Sequence, residues 1–163
     1  MADLIKVKIN GKDVKISKPL DAMKNASGYL PEDRKGDVII ADLSVRENLI
    51  LAQQVLRGFF KPYSKAEAAK IADEYIKLLQ VKTASQDTPI KALSGGNQQK
   101  VVLAKWIAAG CKVLLVDEPT RGVDVGAKRE IYEILNSLLA DGLAILMVSS
   151  ELPELIGTCD RIC

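Results

Sequence analysis

An uninterrupted aliphatic run near the C-terminus constrains the fold more than any other segment. Residues 113–116 are all aliphatic, and they lead directly into Asp117 and Glu118. A strand without polar alternation is typical of a parallel sheet that helices cover on both faces. We therefore predict a strand buried on both faces that carries two carboxylates at its end.

The residues that follow predict a strand–helix–strand unit. Aliphatic residues recur at the spacing of one helix face, at Ile131, Ile134, Leu135, Leu138 and Leu139. Asp141-Gly142 ends this helix, and residues 143–148 form a second apolar run, which we predict to be another buried strand. The crossover of such a unit is right-handed. The fold class is therefore α/β with a mainly parallel sheet.

The N-terminal part predicts a hairpin and a further strand. Residues 5–16 alternate between apolar and polar side chains around Asn10-Gly11, which is the pattern of a β-hairpin. A helix near 19–26 precedes a short strand that ends at Pro31, and the polar residues 32–37 form a loop.

Three helices are predicted next. Ser44 and Glu47 form a capping box, and Ser64 and Ser94 open the following two helices. We divide the chain into an α/β core, residues 1–43 and 112–163, and a helical insertion, residues 44–111.

Composition excludes several kinds of site. The 163 residues contain no histidine, so Ser-His-Asp and Cys-His catalysis and imidazole zinc sites are impossible. The three cysteines lack a CxxC pair and are interpreted as reduced intracellular thiols. With 23 basic and 21 acidic residues, no general electrostatic case for nucleic acid exists. No stretch approaches the roughly 20 apolar residues of a spanning helix, so we expect a soluble, cytoplasmic chain.

The first candidate site is the helix start at Ser94-Gly95-Gly96. A helix N-terminus presents unpaired N–H donors and about half a positive charge, which favours an anion such as phosphate. The two glycines remove side chains that would block approach to these donors. An ordinary capped helix start is the alternative interpretation.

The second candidate site is the strand end at Asp117 and Glu118. Ligands of open α/β sheets bind at the carboxyl ends of the strands. Asp117 would hold Mg²⁺, largely through water, and Glu118 would orient or deprotonate an attacking water. The alternative is a strand end that acids merely keep solvated.

Taken together, these segments resemble a known family. Leu-Ser-Gly-Gly at 93–96, the apolar strand ending in Asp-Glu-Pro-Thr at 117–120 and Gly-Val-Asp at 122–124 resemble the ATP-binding-cassette ATPases. There they are the signature motif, the Walker B strand with its catalytic glutamate, and the D-loop. Residues 97–100 and 120–128 are similar to the second cassette of ribose-, xylose- and galactose-type importers.

This resemblance implies a fold and a set of binding residues. The fold is an incomplete P-loop NTPase core, of the RecA-like type, with an N-terminal hairpin and a helical subdomain. Ser94, Gly95 and Gly96, with Asn97 beside them, would contact the γ-phosphate of ATP that an opposing cassette holds. The helical subdomain would face integral membrane permease subunits.

The resemblance also assigns roles to the remaining candidate residues. Asp117 would serve Mg²⁺, Glu118 the attacking water, and Asp124 the contact between cassettes. Residues 29–34 resemble the Q-loop segment, with Glu32 where most cassettes carry glutamine. Glu32 would link the site to the permease, so the chain would act at the cytoplasmic face of the membrane, with a sugar-binding protein as an indirect partner.

Two departures from the family pattern limit what this chain is expected to do. None of its 11 glycines is followed by another five positions later, as G-x-x-x-x-G-K-[ST] requires, so we expect the P-loop upstream of Met1. Both chain ends resemble cut ends.

The second departure is Ser150, which occupies the place of the switch histidine. Ser150 would still donate to phosphate as a neutral group. Losing one aimed donor typically lowers the rate by about 10²–10³-fold, so we expect a slow or degenerate site.

Three functions therefore stay open at the level of sequence. The first is the ATPase part of a sugar importer. The second is a non-catalytic cassette that supplies its signature motif to a partner. The third is a relative that acts on DNA or ribosomes, which the lack of a heptad arm or a basic tail disfavours.

Overall fold

The computed structural model of the chain describes residues 7–9, 11–33, 38–58 and 60–163. Two short strands, a short helix and a third strand come first, and all the long helices follow this third strand. In chain order the elements are β1 (Val7–Ile9), β2 (Lys12–Val14), α1 (Pro19–Lys24), β3 (Ser27–Leu30), α2 (Val45–Arg57), α3 (Lys65–Leu78), a short 3₁₀ helix (Ile90–Ala92), α4 (Gly95–Ala108), β4 (Val113–Asp117), α5 (Val125–Ala140), β5 (Ala144–Val148) and α6 (Leu152–Thr158).

The central sheet has three parallel strands in the order β3-β4-β5. Leu30 pairs with Val116, and Val116 pairs with Met147. Because α5 connects β4 to β5, the predicted strand–helix–strand unit is confirmed. The predicted parallel sheet is confirmed as well.

The predicted hairpin is confirmed where it is described. β1 and β2 pair antiparallel, and Gly11 in the turn has a φ of +73°, which glycine adopts without strain. Its predicted first residue, Ile5, and the turn residue Asn10 lie outside the described residues. So do residues 34–37 of the predicted loop.

The two predicted capped starts of α2 and α3 are both present. Ser44 Oγ accepts from the Glu47 amide at 3.2 Å, and the Glu47 carboxylate accepts from the Ser44 amide at 2.8 Å. Hydrogen bonds from the Ser44 hydroxyl and amide lower the pKa of Glu47. Ser64 and Glu67 form the same pair at the start of α3. In the described residues, no helix has the length and hydrophobicity needed to cross a membrane.

One face of the sheet carries the hydrophobic core. Leu30, Leu114 and Val116 share this face and are at most 1% exposed. They belong to a buried cluster that includes Val101 of α4 and Ile131 of α5. The predicted amphipathic face of α5 is confirmed, because Ile131, Leu135 and Leu138 are all buried.

The opposite face of the sheet contradicts the sequence prediction. Leu115 is 39% exposed, Leu146 60% and Val148 59%, so neither β4 nor β5 is buried on both faces. The reason is that the core helices lie on the side of Leu114 and Val116, whereas the side chains of Tyr29, Leu115 and Leu146 stay accessible.

Candidate functional site

The carboxyl ends of the three parallel strands bring four of the predicted residues to one edge. Asp117 ends β4 and Glu118 follows it, Ser150 comes shortly after β5, and Glu32 comes shortly after β3. The Ser150 amide donates to Glu118 Oε1 at 2.6 Å. Tyr29 Oη lies 3.4 Å from Asp117 Oδ2. Residues from all three strand ends therefore form one site.

The backbone of Glu118 is strained. Its φ is +48°, a left-handed conformation that costs a residue other than glycine about 1–3 kcal/mol. Two backbone hydrogen bonds hold it there: the Glu118 amide donates to the Val148 carbonyl at 2.9 Å, and the Arg121 amide donates to the Glu118 carbonyl at 3.1 Å. Strain of this kind clusters at functional sites, because the surrounding structure must fix it.

Arg121 forms an ion pair with Glu32 that the sequence did not indicate. The guanidinium donates to Glu32 Oε1 across 89 positions of sequence. Both side chains are largely exposed, so the pair contributes little to stability. It does join the segment after β3 to the segment after β4. In the sequence, the only indication of a role for Arg121 is that it closely follows Asp117 and Glu118.

Lys128 of α5 binds the residue that follows Ser150. Its Nζ lies 2.8 Å from Glu151 Oε1, and this hydrogen bond raises the pKa of Lys128. The contact holds the loop after β5 against the start of α5.

The start of α4, the first candidate site of the sequence analysis, uses its polar side chains for hydrogen bonds within the chain. Ser94 caps the helix, and its Oγ accepts from Asn97 Nδ2 at 2.9 Å. Asn97 Oδ1 in turn accepts from the Lys82 amide at 2.7 Å. Ser94 is exposed and Gly95 is half-buried, so the outer side of this helix start remains accessible.

Gly96 packs against the start of α5. A Cβ built on Gly96 would lie 2.5 Å from the Cβ of Ala127, so only glycine fits at this position. Asp124 caps α5, since its Oδ1 accepts from the Ala127 amide at 2.9 Å. Close packing against α5 therefore requires glycine at position 96, whatever part Gly96 also takes in the predicted access of an anion.

A contact between α4 and α5 relates the two predicted sites. α4 ends shortly before β4, while α5 begins after the carboxyl end of β4. The contact between Gly96 and Ala127 therefore places the α4 start beside the segment that follows Asp117 and Glu118. In the part of the chain that the structure describes, no hydrogen bond joins Ser94 to either acid.

The donor set at the strand ends fits a partly hydrated Mg²⁺. Asp117 and Glu118 are both half-buried at an open edge. Among the described residues, no group of three acidic, cysteine or histidine side chains could form a closed metal cage. Mg²⁺ is usually bound by one or two carboxylates, with waters and substrate phosphates completing its shell. The two acids match that partial set.

A large cavity among the described residues is lined by Tyr29 but by neither of the two acids. It measures about 580 Å³, is mostly apolar, and opens between α1, α2 and α4. None of the predicted site residues lines it. The two acids therefore lie at an open sheet edge and not in this cavity.

Comparison with known proteins decides the family. The family model described as ABC transporter matches residues 5–121. The chain belongs to the ABC transporter family. Two curated members of this family illustrate the similarity. The chain is 47% identical over 154 residues to the fructose import ATP-binding protein of Bifidobacterium longum (strain NCC 2705), covering 94% of the chain and 30% of that protein.

The second curated member is the ribose import ATP-binding protein of Clostridium perfringens (strain 13 / Type A). It is 50% identical over 157 residues, which cover 96% of the chain and 31% of that protein. The chain thus spans about a third of the length of the curated ABC transporter relatives that it matches.

A solved ABC cassette shares the fold. The dimeric structure of an ATP-binding cassette bound to ADP and Pi superposes with a TM-score of 0.71 at 22% identity, covering 91% of this chain and 63% of that one. The predicted fold class, an α/β cassette of the P-loop NTPase type, is confirmed.

Proposed function

We propose that the chain is part of the ATP-binding subunit of a carbohydrate importer, in which ATP binding and hydrolysis drive sugar uptake. The observation that carries this proposal is the strained Glu118, held by the Ser150 amide beside Asp117 at the carboxyl edge of a parallel sheet. The curated relatives are named for fructose and ribose import, which supports a monosaccharide or similar sugar as the transported substrate.

At the strand ends, each residue has a distinct proposed role. Glu118 orients the attacking water and accepts its proton, while the Ser150 amide keeps the carboxylate in place. Ser150 also offers a neutral hydroxyl donor toward phosphate. Asp117 holds Mg²⁺, which neutralises phosphate charge when it is bound. Glu32, through its ion pair with Arg121, links the site to the loop after β3 and thereby to a permease.

The start of α4 acts on a second nucleotide in this proposal. Ser94, Gly95 and Gly96 offer backbone donors to the γ-phosphate of ATP on an opposing cassette, with Asn97 shaping the helix start. Asp124 contacts that cassette near the cap of α5. A role across an interface agrees with the accessible outer side of Ser94 and with its lack of a hydrogen bond to Asp117 or Glu118.

A non-catalytic role of the isolated chain is the second candidate. The sequence contains no G-x-x-x-x-G-K-[ST] segment, whose amides and lysine grip the phosphates in this class of enzyme. We therefore propose that the 163 residues fold as a partial cassette, with the division at 44–111 as its helical subdomain. They would supply a signature motif without binding nucleotide tightly themselves.

Two measurements test these proposals. Phosphate release by the isolated chain with Mg²⁺ and ATP should stay at background; turnover that Glu118→Gln abolishes would show a phosphate grip and contradict the non-catalytic role. Affinity purification from membranes should recover integral permease subunits at the cytoplasmic face, together with a second cassette. Recovery of ribosomes or DNA instead would contradict the transport function.

A further inference from the structure

Glu154 is a buried carboxylate that the proposed function does not use. It lies in the first turn of α6 and is 6% exposed. Three hydroxyls surround it: Tyr132 Oη lies 2.8 Å and Thr120 Oγ1 3.2 Å from Oε1, and Ser149 Oγ donates to Oε2. The donors come from three different segments, namely α5, the loop after β4 and the loop after β5.

Among the described residues, no lysine or arginine forms a direct ion pair with this carboxylate. Lys128 attracts it at longer range, while its ammonium group pairs directly with Glu151. A buried charge is costly unless it is fully hydrogen-bonded, so the three hydroxyls must supply that stabilisation. Burial raises the pKa of Tyr132, which keeps the phenol protonated as a donor.

Two of these hydroxyl donors are close in sequence to Glu118 and Ser150, whose hydrogen bond lies at the centre of the candidate site. Thr120 stands two positions after Glu118, and Ser149 stands immediately before Ser150. The Ser149 hydroxyl also accepts from the Glu151 amide at 3.0 Å, while it donates to Glu154. This pair of hydrogen bonds fixes the turn from which the Ser150 amide points at Glu118 Oε1.

We propose that Glu154 is a positioning residue, which acts through Ser149 and Thr120 to hold the Ser150 amide against the Glu118 carboxylate. Glu118 needs such a restraint because its own backbone is in a strained conformation. The catalytic significance of this restraint rests on the function proposed above. The restraint itself does not, because every contact in it joins two residues of this chain.

The test is amide hydrogen exchange of the full 163-residue chain, followed by NMR without nucleotide. In Glu154→Gln, an amide NH₂ replaces one acceptor oxygen, so we expect the Ser150 amide to exchange about tenfold faster, the factor that one ordinary hydrogen bond provides. Ser149→Ala should have the same effect. The double variant should add nothing further, because both changes break one connection.

Two further variants separate positioning from general destabilisation. Asn48→Ala removes buried hydrogen bonds of α2 far from this site, so it should lower the melting temperature and leave the Ser150 amide unchanged relative to its neighbours. Tyr132→Phe removes one Glu154 donor without touching the loop and should give a smaller acceleration at Ser150. If Glu154→Gln does not fold, Ser149→Ala and Tyr132→Phe decide.

If the exchange rate of the Ser150 amide is unchanged in these variants, the proposal is overturned. It is also overturned if Asn48→Ala accelerates that exchange equally. Neither result depends on ATP. An absence of importer function would leave the exchange result standing, whereas an unresponsive Ser150 would exclude the positioning role whatever the chain transports.

Discussion

The two faces of the parallel sheet carry similar side chains but lie in different surroundings. Leu114 and Val116 of β4 are at most 1% exposed beneath α4 and α5, whereas Leu115 of β4 and Leu146 of β5 are 39% and 60% exposed. The covered face therefore holds the described part of the chain together. The open face contributes apolar surface that is available for a further layer or partner.

The largest expected effect tests the covered face. Leu114→Ala should lower the free energy of unfolding by about 3 kcal/mol, because it removes a fully buried side chain and leaves a cavity. Urea unfolding followed by circular dichroism measures the change. A loss no larger than that of Leu146→Ala would show that the two faces do not differ in energy.

A smaller effect is expected where α4 meets α5 above the covered face. Gly96→Ala places a methyl group 2.5 Å from the Ala127 Cβ and should cost about 2 kcal/mol through overpacking. Ala127→Gly on the same chain should recover most of that loss, since it removes the opposing methyl group. A Gly96→Ala chain as stable as the parent would contradict the close packing of these helices.

The pH dependence of stability tests whether the buried ammonium group of Lys105 in α4 is desolvated. Burial lowers the pKa of Lys105 from 10.5 to about 8, and its Nζ donates to the Val38 carbonyl at 2.9 Å. The unfolded chain therefore binds more protons above pH 8, so stability rises with pH. Relative to Lys105→Met, the parent should gain about 1 kcal/mol between about pH 8 and about pH 9.

The range between about pH 8 and about pH 9 is chosen because the Cys111 thiol has the opposite effect on stability at higher pH. Burial raises the pKa of Cys111 from 9.0 to about 11, so this thiol lowers stability as the pH rises above 9. Denaturant midpoints of the two chains at each pH give the difference directly. Parallel pH profiles would mean that Lys105 is not desolvated.

The smallest effect is expected on the open face. Leu146→Ala should change the free energy of unfolding by less than about 1 kcal/mol, because the side chain is already 60% exposed. It should also reduce binding of a dye that recognises apolar surface. A loss as large as that of Leu114→Ala would indicate that another part of the chain covers this face.

The contrast between the faces also shows where sequence reasoning succeeds. The strands, the amphipathic α5 and the capped starts at Ser44 and Ser64 follow from local spacing, and all of them are present. A run of aliphatic residues does not specify which side a helix covers. The exposure of Leu115 therefore could not be predicted from residues 113–116.

Sequence reasoning also located some residues of the candidate site and missed others. Asp117 and Glu118 could be located because a strand end determines their place, and Ser150 follows from the next strand. The left-handed backbone of Glu118 and the pairing of Arg121 with Glu32 depend on residues far apart in sequence. Glu154 could not be recognised either, because an acid in the first turn of a helix is ordinarily solvent-exposed.

The contact of Trp106 with β3 has a practical consequence. Its indole N–H donates to the Tyr29 carbonyl at 2.6 Å, and its ring fills the space beside Gly28. Because the sequence contains a single tryptophan, all tryptophan fluorescence of the chain, excited selectively over that of its four tyrosines, comes from the junction of α4 and β3. The emission wavelength is thus a built-in optical probe of whether that helix stays docked, and it needs no added label.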